Sequence, residues 1–287
     1  FLVMDSFGNI PIVTDFTVTE PPAQSTRQEA FNFIVSELTD VLDDLSMDGP
    51  GGDSYGRITH WAARALLGRL YLNAEVYTGT PMYDQVITVT DPIVSSGLFS
   101  LETDYRAPFA VANTSSPEIL WHVPYDEVNG CCSNFHMKTL KPELRFVFNF
   151  PAQPWGGSAS NPQFIDTYDP DDTRMDGTDA EQGRGGTWLS GPQFTSDGQY
   201  GYDFVQHVPN INAPADQRGF NYGYPVWKYE IYSGMQSCSS VDYPIFRYAE
   251  VLMQRAEAGL RGAAGAPDPG QVVTQIRERA FAETDPA

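Results

Sequence analysis

Aromatic residues set beside glycines are the side chains in this sequence best suited to chemistry. Trp155 sits in Pro154-Trp155-Gly156-Gly157, and Trp188 follows Gly185-Gly186. Tyr200 and Tyr202 flank Gly201, and Phe135 and His136 follow the pair Cys131-Cys132. Asn149 and Asn161 supply planar amides nearby in sequence. Flat apolar faces beside amide donors and acceptors match a pyranose ring, which has one C–H face and paired hydroxyls. Glycine would let backbone approach a ligand and leave the Trp155 ring exposed. The competing reading is that Trp155 anchors its loop on the helices. Trp61, Trp121 and Trp227 fall in periodic or strand-like segments and read as core.

Other chemistries find little support. Asp166, Asp169, Asp171, Asp172, Asp176 and Asp179 lie close together. A calcium site is one reading, but the glycine and terminal glutamate of an EF-hand are not at their offsets. A glycosidase acid pair is another, and any acidic chain supplies two carboxylates. The reading adopted is that Asp169–Asp172 ends a short helix and that Arg174 pairs with an acid. There is no HExxH, GxSxG, P-loop or GxGxxG, and Gly183–Gly186 lacks a strand–helix context. No cofactor is expected beyond that one calcium reading.

The net charge is −20 over 287 residues, with three lysines (Lys138, Lys141, Lys228) among 17 Lys and Arg. A basic nucleic-acid surface is therefore excluded as an expectation. Few lysines and many aspartates suit solubility in salt, as in a marine or halophilic source, and equally an ordinary acidic extracellular protein. Of the three cysteines, Cys238 is free to pair with Cys131 or Cys132. No run of 18 apolar residues occurs. The chain opens at Phe1 inside what reads as a finished element, so an incomplete N-terminus is expected.

The elements that must position these residues are helical. Arg57–Gly79 has Thr59 as N-cap, an apolar face of Ala63, Leu66, Leu67, Leu70, Ala74 and Tyr77, and small residues that admit a close helix. Tyr83–Val94 follows as the second arm of a hairpin, with Pro92 expected to break it. Helices are also expected over Ser25–Leu45, over Pro244–Arg261, and from Pro269 onward with Asp268 as N-cap. Asn161 and Pro162 should start a short helix. Phe1–Pro22 reads as extended, and Ile119–Tyr125 and Val226–Tyr232 as strands. Helical blocks at 25–96 and 244–282 thus flank an aromatic, irregular stretch at about 97–243, where a ligand site is expected.

Five segments in this order carry a resemblance: GRITHWAARALLGRLYLNAEVYTGTPMYD (Gly56–Asp84), SSGLFSLETDY (Ser95–Tyr105), SPEILWHVPYD (Ser116–Asp126), FIDTYDPDDTRM (Phe164–Met175) and DYPIFRYAEVLMQRAEAGLRG (Asp242–Gly262). Together they closely resemble the SusD/RagB family of surface glycan-binding lipoproteins. The resemblance implies a single, partial SusD-like domain that is mainly α, with tetratricopeptide-like hairpins and a loop-rich ligand-binding half. It implies non-catalytic binding of oligosaccharide or polysaccharide at the cell surface. The partner implied is a SusC-like TonB-dependent transporter in the outer membrane. Contact with the membrane would run only through an N-terminal lipid anchor outside this chain. Val86 and Thr90 depart from the small residues the family favours there. A peptide-binding module and a glycoside hydrolase are the alternatives.

Overall fold

The computed structural model describes residues 1–281 except Val18, Cys131, Cys132, 176–185, Ser196 and 205–222; the side chains of Pro162, Tyr200 and 202–204 are likewise not described. The helices are α1 (Leu2–Phe7), α2 (Arg27–Asp40), α3 (His60–Leu72), α4 (Ala74–Thr78), α5 (Tyr83–Ser95), α6 (Phe135–Thr139), α7 (Leu144–Val147), α8 (Pro162–Ile165), α9 (Tyr248–Leu260) and α10 (Pro269–Glu278). Short strands form three two-stranded pairs: β1 (Ile10–Pro11) with β2 (Gln24–Ser25), β3 (Ile119–Val123) with β6 (Tyr243–Arg247), and β4 (Gly191–Phe194) with β5 (Tyr200–Phe204). The fold is mainly α, as the sequence leads one to expect. The chain divides into two compact units. One comprises Phe1–Leu101, Pro117–Trp121 and Ile245–Gln275; the other comprises Glu102–Ser116, His122–Pro244 and Ile276–Ala287.

In the first unit α3 packs on both α5 and α9. Its small residues explain how. A Cβ on Gly68 would collide with Gln254 Oε1 from α9 and lie 3.0 Å from Thr90 Cγ2 of α5, so one glycine admits two helices. Thr90 is buried with its hydroxyl fully engaged. Its hydroxyl donates to Val86 O at 2.6 Å and accepts from Arg255 Nη1 at 3.0 Å. Arg255, itself buried on α9, also pairs with Asp91 at 2.6 Å. A second ion pair, Arg69 to Glu250 at 2.6 Å, ties α3 to the start of α9. Trp61 is buried edge-on to Phe99 and its indole N–H donates to Met47 O at 3.1 Å.

The caps follow the sequence closely. Thr26 and Glu29 form a reciprocal capping box at the start of α2. Thr59 accepts from Ala62 N–H, and Asp268 Oδ1 accepts from Gln271 N–H at 2.8 Å. Gly79 ends α4 in the left-handed region at φ +77°.

Four expectations need correction. Phe1–Pro22 is not all extended: Leu2–Phe7 is helical because Met4 inserts beside Phe31, Leu70 and Tyr77, and Tyr77 OH donates to Asp5 at 2.6 Å. Pro92 does not break α5. It lies in the last turns, and the carbonyl it leaves without a donor belongs to Thr88, on the exposed face. The helix expected from Pro244 starts at Tyr248, because Tyr243–Arg247 pairs with β3. There Tyr248 N–H donates to Glu118 O at 2.7 Å, and Arg247 pairs with the buried Glu118 carboxylate at 2.9 Å. Val226–Tyr232 forms no named strand; Pro225 and Val226 make isolated bridges instead. Among the described residues no helix is long and apolar enough to cross a membrane.

Candidate functional site

The loop-rich unit is organised on one short segment, Tyr224–Trp227. Ser160 N–H donates to Tyr224 O at 3.0 Å, and Tyr224 N–H donates back to Ser160 Oγ at 3.2 Å. On the other side, Leu189 N–H donates to Pro225 O at 3.0 Å and Trp227 N–H to Thr187 O at 2.6 Å. Thr139 Oγ1, at the end of α6, reaches Val226 O at 3.3 Å. Three loops that are far apart in sequence are thereby pinned to one seam. Beneath it Trp227 stacks on Phe148 (5.1 Å, 19°), which stacks on Phe150 (5.4 Å, 23°). These rings, with Leu140, Leu144, Val147 and Leu189, form the core of the unit.

The Trp155 loop is fixed by its backbone to α6. Trp155 N–H donates to Met137 O at 2.8 Å and Gly156 N–H to Leu140 O at 3.1 Å. Gly156 is left-handed at φ +77°. A Cβ on Gly157 would overlap the carbonyl oxygen of Lys138. The glycines therefore allow close approach of backbone to backbone, rather than of backbone to a ligand as the sequence reading supposed. Pro154 is buried, while the Trp155 ring remains 57% exposed. The main chain at Trp155 is held by two hydrogen bonds while its ring stays open to solvent, so a flat aromatic face is on offer there.

A second aromatic group surrounds Trp188. The half-buried indole meets Phe164 edge-on at 5.9 Å, and its Nε1–H donates to Tyr168 OH at 3.4 Å. Phe164 packs edge-on against Tyr168 at 5.6 Å and is 47% exposed. Asn161 builds this group indirectly. Its Oδ1 accepts from Phe164 N–H at 2.7 Å, capping α8, so its side chain serves the fold. Phe164 and Tyr168 were not singled out as ligand residues from sequence. The available signal was their i, i+4 spacing just after the Asn161-Pro162 helix start in the loop-rich half.

Phe135 is half-buried against Tyr229 (5.0 Å), which stacks on the 41% exposed Tyr243 (6.0 Å, 19°). His136 departs from the expectation. Its ring is buried, Nε2 lies 2.8 Å from Gln236 O, and Phe150 covers it edge-on, so no face is open to a ligand. Burial lowers its pKa, against the opposing pull of the Gln236 carbonyl. Asn149 is exposed at φ +51°, the turn between stacked Phe148 and Phe150, a conformation that asparagine tolerates. The backbones of Tyr200 and Tyr202 pair with Phe194 and Gln193, with a register shift between them; their side chains lie outside the described residues.

The aspartate cluster is a set of turns. Arg174 grips the buried Asp172 carboxylate through Nε and Nη2 at 2.8 and 2.5 Å, and this raises the Arg174 pKa. Asp169 Oδ1 accepts from Asp171 N–H at 3.0 Å. Asp176 and Asp179 lie outside the described residues. Among the described residues no three His, Cys, Asp or Glu side chains are grouped to hold a metal. Cys238 is disulfide-bonded, and next to it Ser133 and Ser239 exchange both backbone hydrogen bonds at 2.9 and 2.8 Å.

The geometry thus offers aromatic faces on backbone-clamped loops. The sequence model of the SusD family matches residues 78–287. The starch-binding protein SusD of Bacteroides thetaiotaomicron is 28% identical over 120 residues, which are 42% of this chain and 21% of that protein. A SusD superfamily protein from Parabacteroides distasonis superposes with a TM-score of 0.73 at 18% identity, over 98% of this chain and 57% of that one. A structure solved with xylogluco-oligosaccharide superposes with a TM-score of 0.67 at 21% identity, over 95% of this chain and 54% of that one. The chain therefore spans little more than half the length of these solved relatives. It belongs to the SusD family.

Proposed function

We propose that this chain is part of a non-catalytic glycan-binding protein of the cell surface. In this reading it captures oligosaccharide and passes it to a TonB-dependent, SusC-like transporter in the outer membrane. Family membership supports the class. One curated relative is a starch-binding protein, and one solved relative is described with an oligosaccharide. The observation that carries the reading is the exposed Trp155 ring on a loop clamped to α6. A ring on a hydrogen-bonded loop costs less ordering on binding than one on a loose loop, and a single stacked face still allows release.

Trp155→Ala should lower affinity for the cognate glycan about tenfold or more, the worth of one aromatic face removed from water. Its circular dichroism should match the parent, because the ring packs little of the core. The check is a titration of both proteins after a glycan-array screen. Unchanged affinity across the panel would remove Trp155 from the site. Binding to extended peptides, with no saccharide recognised, would overturn the glycan reading altogether.

A further inference from the structure

Asn129 is followed by Gly130, and this is the only Asn-Gly pair in the chain. Such a pair has a chemistry of its own. With no side chain on the following residue, its peptide nitrogen is free to attack the asparagine amide carbon. Both residues are exposed, in the turn that follows β3. A Cβ on Gly130 would meet nothing within 4 Å, so no neighbour crowds the peptide there.

The turn also holds the pair back, because Asp126 engages both nitrogens of that reaction. Its backbone carbonyl accepts from Gly130 N–H, the nucleophile, at 3.3 Å. Its Oδ2 accepts from the Asn129 Nδ2 amide, the leaving group, at 3.0 Å. Its Oδ1 accepts from Asn129 N–H at 3.0 Å and from Val128 N–H at 2.8 Å, which fixes the carboxylate. These bonds, that of the Asn129 side chain first, hold the Asp126 carboxyl below its ordinary pKa. The acceptor is therefore ionised at any pH at which a peptide nitrogen can give up its proton.

We propose that Asn129 is a self-modification site and that Asp126 is the latch that sets its rate. Gly130 N bonds to Asn129 Cγ as it gives up its proton, the Cγ–Nδ2 bond breaks, and ammonia leaves. Water then opens the resulting succinimide at either carbonyl, giving aspartate or isoaspartate at position 129; nothing is oxidised or reduced. The product cannot rebuild the turn. A carboxylate stands where the amide donated, and it faces Asp126 as a like charge across the former 3.0 Å contact. The turn is tied to the chain after Cys238 by Tyr125 N–H on Asp242 Oδ1 at 2.7 Å and Glu127 N–H on Ser240 Oγ at 3.1 Å. The conversion is thus a one-way loosening at these ties, and it stands apart from the glycan-binding reading.

The test ages the whole chain at mildly alkaline pH and follows amide loss at each asparagine by peptide mass spectrometry, with isoaspartate scored by enzymatic methyl labelling. Loss should appear at Asn129 first. Asp126→Ala should speed it about tenfold, the rate equivalent of removing hydrogen bonds to a carboxylate. Gly130→Ala, which has room for its methyl group, should suppress it. In urea, the parent and Asp126→Ala should lose the amide at equal rates, because no turn remains to latch. Circular dichroism checks that each variant folds. Earlier loss at another asparagine would overturn the site. An unchanged rate in folded Asp126→Ala, or a difference that persists in urea, would overturn the latch.

Discussion

The two units solve the packing problem in opposite ways. In the helical unit, side chains do the joining: Arg255 reaches Thr90 and Asp91, Arg69 reaches Glu250, and Gly68 makes room for Gln254. In the loop-rich unit the main chain does much of it. Tyr224–Trp227 and the last turn of α6 exchange backbone hydrogen bonds with remote loops, side chains such as Ser160 and Asn113 add to them, and several aromatic rings are left to stack or to face solvent. Surfaces of the first kind are committed to the interior. Those of the second kind leave Trp155, Phe164 and Tyr243 available without loosening the framework beneath them.

Substitutions at two glycines should separate these modes most sharply. Gly157→Ala drives a methyl group into the Lys138 carbonyl, and backbone cannot step aside as a side chain can, so the cost should be roughly 2–3 kcal/mol in urea unfolding. Gly68→Ala meets the far end of Gln254 and a Thr90 methyl, which can shift, and helix propensity offsets part of the clash; a cost below about 1 kcal/mol is expected. Equal costs at the two sites would erase the distinction drawn here. Thr26→Ala, which removes a capping box in the helical unit, should cost about 1 kcal/mol and leave glycan affinity untouched.

The smallest effect is one of pH and belongs to the loop-rich unit. His136 and His122 are both buried there, and burial lowers both pKa values, with Asp242 opposing the shift at His122. A folded pKa below the unfolded one means that the unfolded chain binds more protons, so stability falls as pH drops below about 6.5, the ordinary histidine value. His136→Gln should flatten that decline in thermal unfolding between pH 7 and 5. An undiminished slope would remove His136 as a contributor.

Much of the helical unit is legible in the sequence because its signals are local. Thr59 and Asp268 cap helices where the sequence places them. What sequence misjudges is tertiary. Met4 makes α1 helical through partners far along the chain, and pairing with β3 takes Tyr243–Arg247 away from a helical pattern. The loop-rich unit is less legible, since no periodicity announces that Tyr224–Trp227 is a seam. Trp155 shows both outcomes. Its exposure follows from the glycines around it, but those glycines are there for the α6 backbone. His136 lies beside a candidate aromatic in sequence, yet its ring turns inward to Gln236.

The paired backbones of Ser133 and Ser239 have a further consequence. The chain carrying Trp155, Phe164 and Trp188 leaves and returns through this pairing, with the Cys238 disulfide beside it, and it is tied to its surroundings at two further points, where Glu230 N–H donates to Phe109 O and Thr173 N–H to Ala280 O. Insertions or deletions between those two serines that spare these ties need not move the strands and helices outside the pairing. For a graft of residues 133–239 between family members the pairing marks the two ends, and Phe109 and Ala280 are the contacts the graft must keep.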